Sequence, residues 1–121
     1  MPYENATFIT YQIPAGVLTS AATLGTLIGP AGKQGRLEGI ETTVTTETTG
    51  AAASVDVGIT GTLAKYGTAS VPVSVVDSLT NVTTINDTDV NPLPADTEFL
   101  VSTDGGATLG AADLFVTIAW F

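Results

Sequence analysis

Ser54-Val55-Asp56-Val57-Gly58-Ile59-Thr60 alternates without a break: Val55, Val57 and Ile59 fall on one side, Ser54, Asp56, Gly58 and Thr60 on the other. A period of two is that of a β-strand with one buried face and one wet face. The same pattern follows downstream, where Ala69, Val71, Val73 and Val75 alternate with Ser70, Pro72 and Ser74. Pro72 cannot donate a ladder hydrogen bond, which favours a sheet edge or a bulge, and an edge is expected for this second strand. Upstream, Arg36 to Thr48 is rich in β-branched residues, but Leu37 is odd-numbered while Ile40 and Val44 are even. The phase flips at Glu38-Gly39, as a glycine bulge would make it do.

Further strands are expected at Thr7 to Ile13, Thr23 to Ile28, Val82 to Ile85, Glu98 to Thr103 and Leu114 to Phe121. Between them stand turn signals, among them Gly29-Pro30-Ala31-Gly32, Asp77-Ser78 and Asp104-Gly105-Gly106. Ala51-Ala52-Ala53 follows Gly50 and is too short to nucleate a helix, so it reads as a strand connection. Ala15 to Ala22 could hold a helical turn, although Pro14-Ala15-Gly16 argues for a loop. About eight strands without helical periodicity predict an all-β chain, an antiparallel β-sandwich or jelly roll. The 121 residues suit one domain, 1–121, with 1–10 as an extended amino-terminal arm.

Composition narrows the chemistry. The chain has no histidine and no cysteine, hence no imidazole proton shuttle, no thiolate nucleophile and no disulfide. Its basic residues are Lys33, Arg36 and Lys65 against 12 acidic ones, a net charge of -9. Nucleic acid is held by Lys and Arg on phosphates, so it is not an expected partner. Acidity instead keeps a Thr-rich and Ala-rich surface soluble. No apolar run nears the roughly 20 residues that span a bilayer as a helix, and Met1-Pro2-Tyr3-Glu4-Asn5 does not read as a signal peptide. No membrane partner and no export are expected.

Apparent motifs dissolve on inspection. Gly29-Pro30-Ala31-Gly32-Lys33-Gln34 has the Gly-Lys pair of a phosphate loop, but Leu27 replaces its first glycine and Gln34 its hydroxyl residue. Asp87, Asp89, Asn91 and Glu98 match positions of a calcium loop, but Pro92 occupies the position where that loop needs glycine. The sequons at Asn5, Asn81 and Asn86 are read as incidental in a chain without a signal peptide. A pair of carboxylates could serve a glycosidase, yet no two acids stand out and the cleft-lining aromatics such an enzyme needs are few. Serine and threonine lack a histidine base. No catalytic residue, cofactor site or metal site is expected.

The closing run Leu114-Phe115-Val116-Thr117-Ile118-Ala119-Trp120-Phe121 is apolar on both faces. Leu114, Val116, Ile118 and Trp120 suit the sandwich interior. Phe115, Ala119 and Phe121 need another cover, either a second copy of the chain or the chain's own loops. Phe115, Trp120 and Phe121 are the candidate subunit-interface residues.

The Asn91-Pro92-Leu93-Pro94-Ala95-Asp96 loop entering Thr97-Glu98-Phe99-Leu100-Val101, the Thr-rich and Val-rich strands and the closing Phe115 to Phe121 resemble the decoration, or cement, proteins of tailed-bacteriophage heads. The resemblance spans most of the chain and is one of texture, without a diagnostic motif. It implies a compact β-sandwich, commonly a homotrimer, that sits on the outer capsid surface of the virion, bridges copies of the major capsid protein and is made in the host cytoplasm. It implies a structural role and no enzyme. The amino-terminal arm would then carry capsid contacts at Tyr3, Phe8 and Ile9. A receptor-binding or carbohydrate-binding sandwich of a fibre or surface appendage is the alternative, and exposed aromatics on loops would favour it.

Overall fold

The computed structural model describes residues 7–77, 79–80, 83–85 and 93–121, and among these every regular element is a strand. In chain order they are β1 (Thr7–Val17), β2 (Ala22–Ile28), β3 (Gly35–Thr49), β4 (Ala53–Ile59), β5 (Thr62–Val71), β6 (Leu79–Thr80), β7 (Thr83–Ile85), β8 (Glu98–Thr103) and β9 (Leu109–Trp120). They form two antiparallel sheets, ordered β1-β9-β3-β6 (sheet I) and β2-β8-β4-β5-β7 (sheet II). Each of the first three connections crosses from one sheet to the other, and β9 returns to lie between β1 and β3. This is the wrapped order of a jelly roll, with the short β7 added beside β5.

The expected bulge is present. Leu37 pairs with Ile118 and Gly39 with Thr117, leaving Glu38 as the extra residue, so Leu37 and Ile40 both face inward. Ala15 to Val17, left open between helix and loop, instead extends β1 after a register shift between Ile13 and Gly16. Pro14 at the shift accounts for it, since a residue without an N–H is tolerated where the ladder breaks.

Two expectations fail around Pro72. The strand expected from Ala69 to Val75 ends at Val71, and Val73 and Val75 are exposed rather than buried. Beyond Pro72 the chain leaves sheet II, and Ser74 bonds reciprocally with Thr48 of sheet I through N–H to O contacts of 3.2 and 2.9 Å. The strand itself is also not the sheet edge, because Gly67 to Ala69 pairs with β7. Proline here marks the crossing between sheets rather than an open edge. Lys65 lies within β5 and is half-buried.

The core lies between the sheets. Val55, Val57, Val101 and Phe99 of sheet II face Ile40, Val44, Leu114, Val116 and Ile118 of sheet I, all fully or almost fully buried. Phe99 links three aromatics: its ring stacks on Trp120 at a centroid separation of 6.2 Å and meets Tyr66 edge-on at 5.3 Å. Such pairs add about 0.5 to 1.5 kcal/mol each beyond the area they bury.

Candidate interaction face

The pairing register of sheet I fixes which side chains share its outer surface. Directly paired residues in an antiparallel sheet point the same way. The outer rows are therefore Phe8, Ala119 and Arg36; Thr10, Thr117 and Gly39; Gln12, Phe115 and Glu41; Asp113, Thr43 and Leu79; and Val17, Ala111 and Thr46. Thr10 and Thr117 confirm the geometry, with their hydroxyls 2.9 Å apart. Ala119 is on this outer face yet has no exposed surface. Its neighbours in the row, Phe8 and Arg36, are long enough to fold over so short a side chain.

The face is unusually apolar for one that meets water. Among the described residues nine large apolar side chains stand exposed: Phe8, Val17, Ile28, Leu63, Val73, Val75, Val76, Leu79 and Leu109. Phe8, Val17, Leu79 and Leu109 belong to strands of sheet I, and Val73, Val75 and Val76 lie in the segment that Ser74 and Asp77 tie to β3. Asp77 N–H donates to the Val44 carbonyl at 2.8 Å and completes that tie. Only Ile28 and Leu63 belong to sheet II. Exposed apolar groups concentrated on one side mark an interaction surface, whereas scattered single ones do not. Half-buried Phe115 sits among them between Gln12 and Glu41, and Glu41 and Asp113 give the face its negative charge.

The outer surface of sheet II differs in chemistry. Its central row runs Thr23, Ser102, Asp56 and Thr68. Asp56 accepts hydrogen bonds from Ser54 Oγ at 3.1 Å and Thr68 Oγ1 at 2.5 Å. This face is built on short hydroxyl side chains around a carboxylate, with Ser102 almost fully buried and with half-buried Leu100 and exposed Ile28 as apolar residues.

Of the sequence-chosen residues, the structure brings Phe8 and Phe115 onto one face. Ile9 and Trp120 go elsewhere. Ile9 pairs with inward-facing Ile118 and packs against the core, because one step of the strand reverses the direction of Phe8. Trp120 lies inside the chain's own sandwich at 2% exposure, stacked on Phe99, so its ring is not presented to a second copy. Phe121 follows β9 half-buried, exchanging backbone hydrogen bonds of 2.8 and 3.0 Å with Gln34. The proposed arm divides: Thr7 to Thr10 is regular strand, while Tyr3 lies outside the described residues. Val82, the calcium-loop residues Asp87, Asp89 and Asn91 and the sequon residues Asn5, Asn81 and Asn86 also lie outside them.

Leu79, Leu109, Val17 and the Val73 to Val76 segment were not singled out by the sequence. A signal was there in Val73-Ser74-Val75-Val76, where Val76 breaks the alternation and puts valine on both phases. A segment apolar on both phases cannot hide both sides at the border of a sheet. No protein-family model matches the chain, and neither a curated protein nor a solved structure matches it.

Proposed function

We propose that this chain is a structural virion protein, a head decoration (cement) protein of a tailed bacteriophage that binds the outer capsid surface as a homo-oligomer and stabilises the shell. The observation that carries this reading is the one-sided distribution of exposed apolar side chains over sheet I and its β3 border. The resemblance of the closing strand and of the loop entering β8 to that family supplies the context. In this reading the outer face of sheet I is the capsid footprint. Phe8, Phe115 and Leu79 supply apolar contact, and Glu41 and Asp113 select basic groups on the major capsid protein.

The role is mechanical. A two-layer jelly roll with a closely packed core is stiff, and weak contacts repeated over a symmetric shell add up through multivalency. A net charge of -9 keeps decorated particles dispersed and does not favour nucleic acid as a partner.

The direct test mixes the purified protein with purified expanded capsids, then measures co-sedimentation and the temperature at which capsids rupture. Binding with a raised rupture temperature is expected. Absence of binding sinks the reading, and selective binding to a glycan array would replace it with the carbohydrate-binding alternative.

A further inference from the structure

The two lateral sides of the sandwich are finished differently. On one side the outermost strands are β6 and β7, of 2 and 3 residues, and very short edge strands are a common defence against unwanted pairing. On the other side the outermost strands are β1 and β2, of 11 and 7 residues, with no neighbour beyond them among the described residues. From Thr7 to Gly32 the chain has no charged residue at all, so neither long edge carries the lysine or glutamate that usually protects one.

The long edge also exposes part of the core. Ile9, Tyr11 and Ile13 point inward from β1 yet are only half-buried, whereas their partners Ile118, Val116 and Leu114 on β9 are fully buried. Across the opening, Leu24 of β2 is half-buried too. The two edges close on each other through small residues: a Cβ at Gly25 would stand 2.8 Å from Ile13 Cδ1, and one at Gly16 would stand 3.1 Å from Leu24 Cδ1. The result is an open ladder flanked by apolar side chains.

We propose that two copies of this chain associate edge to edge, β1 against β1 and antiparallel about a twofold axis at Thr10, so that two copies of sheet I become one continuous sheet. Charge selects the side. Two chains of net charge -9 repel each other, and this uncharged edge is where they can meet without opposing carboxylates. The register follows from the regular part of β1, Thr7 to Ile13, whose midpoint is Thr10. On the outer face it sets Thr10 opposite Thr10 and Phe8 opposite Gln12. On the inner face it sets Ile9 opposite Tyr11, a β-branched and aromatic pair of the kind that stabilises sheets. A twofold, self-complementary contact is also the commonest form of homo-oligomer. The pairing leaves the outer face of sheet I free, and it differs from the threefold assembly that the family resemblance implies. It does not depend on the capsid reading.

The test is analytical ultracentrifugation of the wild-type chain, of Thr10→Lys and of Thr10→Glu, with circular dichroism to check folding. The expected results are a doubled mass for wild type, a single-chain mass for each variant alone, and a doubled mass again when the two are mixed. Thr10→Cys supplies a reading that needs no disruptive change. In a chain without native cysteine, opposed copies should oxidise to a covalent dimer, while Thr60→Cys in the β4–β5 turn stays monomeric. A wild-type chain that is monomeric or trimeric, or a dimer indifferent to Thr10→Lys and not cross-linked through Thr10→Cys, would overturn the proposal.

Discussion

Trp120 Nε1 donates a hydrogen bond of 3.0 Å to the Tyr11 hydroxyl, joining the last strand to the first across 109 residues of chain. Because Trp120 is 2% exposed and is the single tryptophan, this bond satisfies the indole and makes fluorescence a reporter of the core. Tyr11→Phe keeps the ring and removes the acceptor. It should cost about 1 to 2 kcal/mol in urea unfolding and alter Trp120 emission. A stability unchanged within error would show that the bond contributes nothing.

The Trp120 ring has a second dependence, on missing side chains. A Cβ at Gly29 would collide with the outer carbons of the indole, and one at Gly35 would lie 2.7 Å from Trp120 Cζ3. Gly29→Ala is therefore expected to destabilise by about 1 to 3 kcal/mol through overpacking. Gly39→Ala at the β3 bulge meets no atom within 4 Å and should be nearly neutral. Equal costs at the two positions, measured by thermal unfolding, would refute the steric account.

Gly105 and Gly61 both have positive φ, at 70° and 87°, but their surroundings differ. A Cβ at Gly105 would run into the backbone of Ser20 and Ala21, whereas one at Gly61 has open space. Gly61→Ala should cost about 1 kcal/mol for the left-handed conformation alone. Gly105→Ala adds a clash with backbone that cannot rotate away, so its loss should be the larger by calorimetry.

Leu79→Asp and Phe115→Glu place charge on the outer face of sheet I, where Leu79 is 69% exposed. On the proposed capsid reading, both should fold and lose capsid binding at least tenfold. Leu63→Asp, on sheet II, should bind as wild type. Equal effects at all three positions in a sedimentation assay would remove sheet I as the footprint.

Local order was legible where period and phase could be counted. The inward set Leu114, Val116, Ile118 and Trp120 followed from alternation, and the Glu38 bulge from a change of phase. The errors have a common form. Val73 and Val75 continued the alternation of β5 in sequence, but the chain changes sheets after Pro72 and carries them to the border of sheet I. Ile9 and Phe8 are adjacent and similarly apolar, and composition cannot distinguish the one that packs against Ile118 from the one beside Ala119. The candidate face was legible only at Phe8 and Phe115. Leu79, Leu109 and Val17 joined it through strand pairing between distant segments.

By itself the sequence determined that the chain is all-β, which residues alternate, where the phase slips, and that its chemistry lacks imidazole and thiol while its charge is strongly acidic. These are properties of neighbouring residues, and the two-residue repeat of an extended backbone reads them directly. The tertiary structure decided that β9 lies between β1 and β3, that most exposed apolar groups gather on sheet I and its β3 border, and that among the described residues the uncharged strands β1 and β2 are the long outermost ones. Those outcomes depend on pairings such as Thr7 with Trp120. No local pattern encodes such a pairing, because it is selected by the packing of the whole core rather than by the conformational preference of either strand.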